Sequence, residues 1–126
     1  MPWKSKFLTK QDSVILTTED SGIEDRPGIT VIRAGKSELD WRLAFKLIRA
    51  HGVNVMNVLG GSKINAQLLE LDLIDELFLT IAPKIKLGDE TPTIAGGKPL
   101  PRDQVMKFSM VGHEAIGEEL FLRYRR

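Results

Sequence analysis

Val53-Asn54-Val55-Met56-Asn57-Val58-Leu59, Gly60-Gly61-Ser62, a helical pattern and then Leu77-Phe78-Leu79-Thr80-Ile81 form the stretch whose reading decides the fold. It reads as a buried strand, a glycine turn, a helix and a second strand. Without a Cβ, Gly60 and Gly61 can adopt positive φ and let a ligand touch the main chain. The helix that follows turns its unpaired N–H groups and positive dipole end toward the same place. A bound anion, and a phosphate in particular, is the functional expectation from these residues. The competing reading, which the glycines taken alone favour, is an ordinary tight strand-to-helix turn, with Ser62 as the N-cap of its own helix. The order of residues excludes a P-loop, because Lys63 follows Ser62 and no glycine stands at the required distance ahead of a Gly-Lys-Ser/Thr.

Working toward the N-terminus, Ser37 is a candidate N-cap with Asp40 three residues on. Trp41, Ala44, Phe45 and Ile48 then mark one apolar face of a helix that Gly52 can end. Ahead of it, Ile29-Thr30-Val31-Ile32-Arg33 and Ser13-Val14-Ile15-Leu16-Thr17-Thr18 read as short strands separated by a polar loop. Successive strand, helix, strand units predict right-handed crossovers and a mainly parallel sheet. In the helix after the glycine turn, Ile64, Leu68 and Leu71 share a stripe with Leu69 beside it.

Toward the C-terminus, residues 84–103 hold Gly88, Pro92, Gly96, Gly97, Pro99 and Pro101, a loop too long to be mere connection. Met106, Phe108 and Met110 alternate with polar residues, and the stretch from Glu119 to Tyr124 can return against them as an antiparallel hairpin through residues 114–118. Asp72, Asp75 and Glu76 read as a solvated acidic corner, and Arg123-Tyr124-Arg125-Arg126 as a solvated basic tail.

The chain has 126 residues, enough for one domain with a core of its own. It has no cysteine, which excludes disulfides, zinc ribbons and thiol nucleophiles, and a net charge of +1, which gives no electrostatic case for nucleic acid or a membrane surface. No apolar run is long enough to span a bilayer, and Met1-Pro2-Trp3-Lys4-Ser5-Lys6 lacks the apolar core of a secretory signal, so the expected compartment is the cytoplasm. His51 and His113 have no second ligand at metal spacing, and no metal site is expected. Lys84, Lys86 and Lys98 flank the long loop, where they could meet a phosphorylated substrate or only water.

With these elements in order, the chain resembles the reductase domain of riboflavin biosynthesis, the C-terminal domain of the bacterial bifunctional deaminase-reductase and its archaeal relatives. Val14-Ile15-Leu16-Thr17-Thr18 is similar to that family's strand ending in paired threonines, and Val58-Leu59-Gly60-Gly61-Ser62 to its V-E-G-G turn. Leu68-Leu69-Glu70-Leu71-Asp72-Leu73-Ile74-Asp75-Glu76-Leu77, continued by Ile81-Ala82-Pro83, is the most specific of the three matches. The resemblance implies an α/β, dihydrofolate-reductase-like three-layer sandwich, with a mainly parallel sheet ending in an antiparallel C-terminal hairpin. It implies NADPH as cofactor, with Gly60, Gly61, Ser62 and Lys63 at its pyrophosphate and Thr17 and Thr18 near the adenosine ribose and its 2′-phosphate.

Three departures stand against the family pattern. Leu59 occupies the place of a common glutamate, Asp72 that of the glycine ending the helix, and no S-x-D-G-x-I-A segment precedes Ser13. The chain therefore reads as a single partial domain over residues 1–126 with its N-terminal strands missing, and no catalytic residue can be named. The implied activity is an NADPH-dependent reductase acting on a phosphorylated ribosylaminopyrimidine, of the 5-amino-6-(5-phosphoribosylamino)uracil type. The expected assembly is a homo-oligomer or association with the missing part of the domain. The alternative is a truncated nucleotide-binding or structural remnant without turnover.

Overall fold

Strands β1 (Ser13–Thr17) and β2 (Ile29–Arg33) are short and rich in β-branched side chains, which suit a pleated, covered surface. They pair in parallel, from Ser13 opposite Ile29 to Thr17 opposite Arg33. The computed structural model describes residues 13–88, 91 and 93–126, and the chain divides into two units, Met1–Asn57 and Val58–Arg126. The Met1 to Lys6 segment read above for a secretory signal lies outside the described residues.

In the first unit, Ile15, Ile32, Ala34 and Ala44 are buried, and helix α1 (Trp41–Ala50) packs against β2. Trp41 and Phe45 meet edge to face with ring centroids 6.1 Å apart. The helix begins later than Ser37. Gly35 turns the chain at φ +93, where an added Cβ would collide with the Glu38 carbonyl, and the Asp40 amide donates to the Ala34 carbonyl at 3.1 Å. Residues 35–39 are thereby consumed in a turn, and Asp40 itself is the cap, its Oδ1 accepting from the Leu43 amide at 2.9 Å. At the other end His51 donates from Nδ1 to the Leu47 carbonyl at 2.9 Å, a surface contact at a helix C-terminus.

The expected strand at Val53 to Leu59 is not formed. Residues 53–61 are irregular, Val55 is 85% exposed and Leu59 98% exposed. An apolar run becomes a strand only when a neighbouring ladder satisfies its amides. Among the described residues no strand pairs with this one.

The second unit holds helix α2 (Ser62–Glu70) and an antiparallel sheet ordered β3-β5-β4, from β3 (Glu76–Ile81), β4 (Ser109–Ile116) and β5 (Glu119–Arg125). The C-terminal hairpin is tighter than the sequence suggests. Ile116 pairs with Glu119, leaving only Gly117 and Glu118 in the turn. β4 starts at Ser109, so Met106 and Phe108 lie ahead of it in irregular chain. β3 joins β5 antiparallel, with Glu76 opposite Arg125 and Phe78 opposite Arg123.

The two charge clusters are largely exposed, as read, but that register sets the acidic corner against the basic end, so that they pair with each other. Arg123 donates to both Glu76 oxygens at 2.8 Å, and Arg125 adds Nη2 to Oε1 at 2.5 Å. Arg126 pairs with Asp72 at 2.6 Å while its amide donates to the Asp75 carbonyl at 3.1 Å. The Arg123 guanidinium also lies over the Phe78 ring, 5.5 Å from its centroid. The hydrogen bonds from Arg123, then those from Arg125, hold the Glu76 carboxyl down at about 2, against an ordinary 4.5.

Helix α2 ends as the family departure requires. Asp72 takes φ +60, the Leu73 amide donates to the Leu68 carbonyl at 2.9 Å and the Asp72 amide to the Leu69 carbonyl at 3.0 Å. These are the two bonds of a Schellman motif, with aspartate where glycine is the unstrained choice.

Two predictions follow from this half of the chain. Asp72→Gly relieves the left-handed strain and loses one exposed ion pair, so it raises stability by about 0.5–1 kcal/mol in urea unfolding; a lower midpoint would contradict the assignment. For Glu76, the unfolded chain takes up a proton near pH 4.5 that the folded chain refuses until about 2. Its stabilisation is complete above pH 4.5 and is lost as pH falls toward about 2. In Glu76→Gln the melting temperature should fall less steeply over this window than in the wild type, and parallel slopes would contradict the pairing.

Candidate functional site

Helix α2 starts at a residue that has no side chain with which to cap it. Gly61 is the N-cap, with φ −61 and ψ 171, and no side chain accepts from the first-turn amides. Ser62, the sequence candidate for that cap, is instead the first helical residue. The first intrahelical bond runs from the Asn65 amide to the Gly61 carbonyl at 3.0 Å. The amides of Ser62, Lys63 and Ile64 are therefore left for solvent or a ligand, at the positive end of the helix dipole.

The surroundings of this end are open. A Cβ built on Gly61 would meet no atom of the described residues within 4 Å, so there is room beside the cap residue itself. Gly60 precedes it at φ +88, a conformation that favours glycine, and the bond between the two glycines is cis. Lys63 is exposed in the first turn and can add a cation beside the amides. The four sequence candidates Gly60, Gly61, Ser62 and Lys63 thus stand together on one turn. Main-chain N–H groups, the positive end of a helix dipole and an exposed ammonium are grouped there, with no acidic partner on Lys63 among the described residues.

Thr17 and Thr18 lie in the first unit. Thr17 ends β1, and its carbonyl accepts from the Ala34 amide at 2.8 Å. Thr18 is extended, at φ −98 and ψ 163, ahead of a short 3-10 turn over Glu19–Ser21 that its side chain does not cap. Both are half-buried, and their hydroxyls have no partner among the described residues. The loop around them is pinned by the Glu19 amide to the Gly35 carbonyl at 2.9 Å and the Asp20 amide to the Lys36 carbonyl at 3.0 Å.

Sequence reasoning missed the role of the second glycine pair. Gly96 donates its amide to the Ser62 carbonyl at 2.9 Å, and the Asn65 side chain donates to the Ile94 carbonyl at 2.8 Å. A Cβ on Gly97 would stand 3.5 Å from the Ala66 Cβ and from Glu70 Oε1. The long loop therefore lies along the Ser62, Ala66 and Glu70 face of α2. The small side chains at Gly96, Gly97 and Ala66 were the available signal, a flat strip meeting a flat strip, but it spans about thirty residues and has no period.

Among the described residues no group of His, Cys, Asp and Glu could hold a metal ion, and no helix is long and apolar enough to cross a membrane.

Comparison with known proteins bears on the family and the fold. The chain is 27% identical over 97 residues to the riboflavin biosynthesis protein RibD of Actinobacillus pleuropneumoniae, covering 76% of this chain and 26% of that protein. It is 26% identical over 102 residues to the 2,5-diamino-6-ribosylamino-4(3H)-pyrimidinone 5′-phosphate reductase of Methanothermobacter thermautotrophicus, covering 80% of this chain and 47% of that one. The chain thus spans from about a quarter to about half the length of these relatives. Among solved structures, RibD of Acinetobacter baumannii superposes with a TM-score of 0.77 at 17% identity, over 99% of this chain and 34% of that one. A pyrimidine reductase-like protein of Corynebacterium diphtheriae gives 0.68 at 22% identity, over 89% and 49%. These two share the fold, which is that of the dihydrofolate-reductase-like RibD reductase domains. Residues 1–122 match the RibD C-terminal domain, and the chain belongs to that family.

Proposed function

We propose that this chain carries the dinucleotide-binding part of an NADPH-dependent reductase of riboflavin biosynthesis, acting on a phosphorylated ribosylaminopyrimidine. The observation that carries the reading is the open, uncapped start of α2 at Gly61. Gly60, Gly61, Ser62 and Lys63 would hold the pyrophosphate through main-chain N–H groups and the Lys63 ammonium. Thr17 and Thr18 would offer hydroxyls to the adenosine ribose and its 2′-phosphate. When bound, NADPH supplies a hydride from the nicotinamide ring. The protein's share is to hold the dinucleotide by its diphosphate, fix its direction and keep water from the reacting end.

The substrate class is taken from the Methanothermobacter relative, whose name specifies a ribosylaminopyrimidinone 5′-phosphate. Lys84, Lys86 and Lys98, all exposed on or beside the long loop, are suited to meeting such a phosphate. A soluble phosphorylated substrate fits a cytoplasmic setting. Association with a second copy, or with a further segment of the domain, would supply additional walls to the pocket.

Two measurements test the proposal. Fluorescence titration should show NADPH binding tighter than NADH, and mixing with the ribosylaminopyrimidinone 5′-phosphate should bring loss of NADPH absorbance. Failure to bind either nucleotide would remove the cofactor and the activity together, and binding without oxidation would leave a nucleotide-binding protein without turnover. Gly61→Val should fold, since φ −61 is allowed to any residue and its Cβ meets open space. It should weaken NADPH by roughly a hundredfold, through loss of about two charge-assisted hydrogen bonds; unchanged affinity in the folded variant would refute the placement.

A further inference from the structure

The glycine turn is held from outside the helix as well as from within it. Asn65 stands one turn into α2, and its side chain tilts back toward the helix start, as helical side chains do. A Cβ on Gly60 would lie 3.4 Å from Asn65 Nδ2 and 3.7 Å from its Oδ1, so the carboxamide rests against the turn itself. The same Nδ2 donates to the Ile94 carbonyl at 2.8 Å, a bond that only the nitrogen end of the amide can make. Two residues further along the loop, the Gly96 amide donates to the Ser62 carbonyl at 2.9 Å. The loop is thus strapped to α2 at two points that flank the uncapped amides.

Asparagine is a poor choice for that position on helix propensity alone, since alanine or leucine would serve a helix interior better. What it adds is a donor to the Ile94 carbonyl on a carboxamide that also lies beside Gly60.

We propose that Asn65 is a positioning residue that couples residues 94–97 to the Gly60–Gly61 turn, so that the diphosphate cradle and the long loop order together. The inference rests on the reading of Gly60 to Lys63 as the diphosphate site. Cofactor binding at the turn should then be felt at Gly96, whose amide is bonded to the Ser62 carbonyl.

Asn65→Leu keeps a branched side chain and raises helix propensity while removing the donor, and Asn65→Ala carries the test should the leucine variant not fold. In the wild type, NADPH should slow hydrogen exchange at the Gly96 amide. In the variants, Gly96 exchange without cofactor should rise roughly tenfold, NADPH should bind roughly tenfold more weakly, and the cofactor-induced protection at Gly96 should disappear. A residue that merely filled space would leave that protection intact in the leucine variant. If the wild type binds NADPH, and the variants bind it equally well with Gly96 still protected, the coupling is overturned while the diphosphate site stands. If the wild type does not bind NADPH, the site reading falls and this role for Asn65 falls with it.

Discussion

A helix that begins on a glycine must find partners for its first amides outside its own side chains. In this chain that condition is met at α2, where Gly61 is the cap and contributes no side-chain oxygen, and where a Cβ on it would meet no atom of the described residues within 4 Å. Unpaired donors at a helix start are ordinarily answered by a serine, threonine, asparagine or aspartate, as Asp40 does for α1. The contrast between the two helices is the physical core of the functional reading: one start is closed by its own carboxylate and the other by no side chain of its cap residue.

The second unit supports that start from the far side. The Schellman turn at Asp72 ends α2 and delivers the chain to β3, where Glu76 receives two arginines from β5. These pairs are partly exposed and individually weak, but two arginines converging on one carboxylate fix a register more firmly than one pair does. Arg126 closes the corner through Asp72 and the Asp75 carbonyl. The last residues of the sheet are therefore tied to the end of the helix whose beginning carries the candidate site.

How much of this could be read in the chain depended on whether the signal was local. Helix α1, its ending at Gly52, helix α2, β5 and the left-handed Asp72 were legible because each rests on spacing or backbone preference within a few residues. The placing of Gly60, Gly61, Ser62 and Lys63 on the turn that opens α2 was legible for the same reason. Val53 to Leu59 misled because an apolar run has strand content without specifying a partner, and among the described residues none pairs with it. Asp75-Glu76 and Arg123 to Arg126 looked like separate solvated clusters, since only the β3–β5 register brings residues nearly fifty positions apart face to face. The Gly96–Gly97 strip against α2 was hidden by the same distance, and Ser37 was displaced as a cap by a backbone turn at Gly35 that composition does not announce.

The most direct test of the central claim is to follow the backbone amides of Gly61, Ser62, Lys63 and Ile64 by NMR during an NADPH titration, with inorganic pyrophosphate as a second ligand. The account predicts saturable shifts at these four amides with both ligands, larger and at lower concentration with NADPH. Saturable NADPH binding that leaves all four unmoved would contradict it.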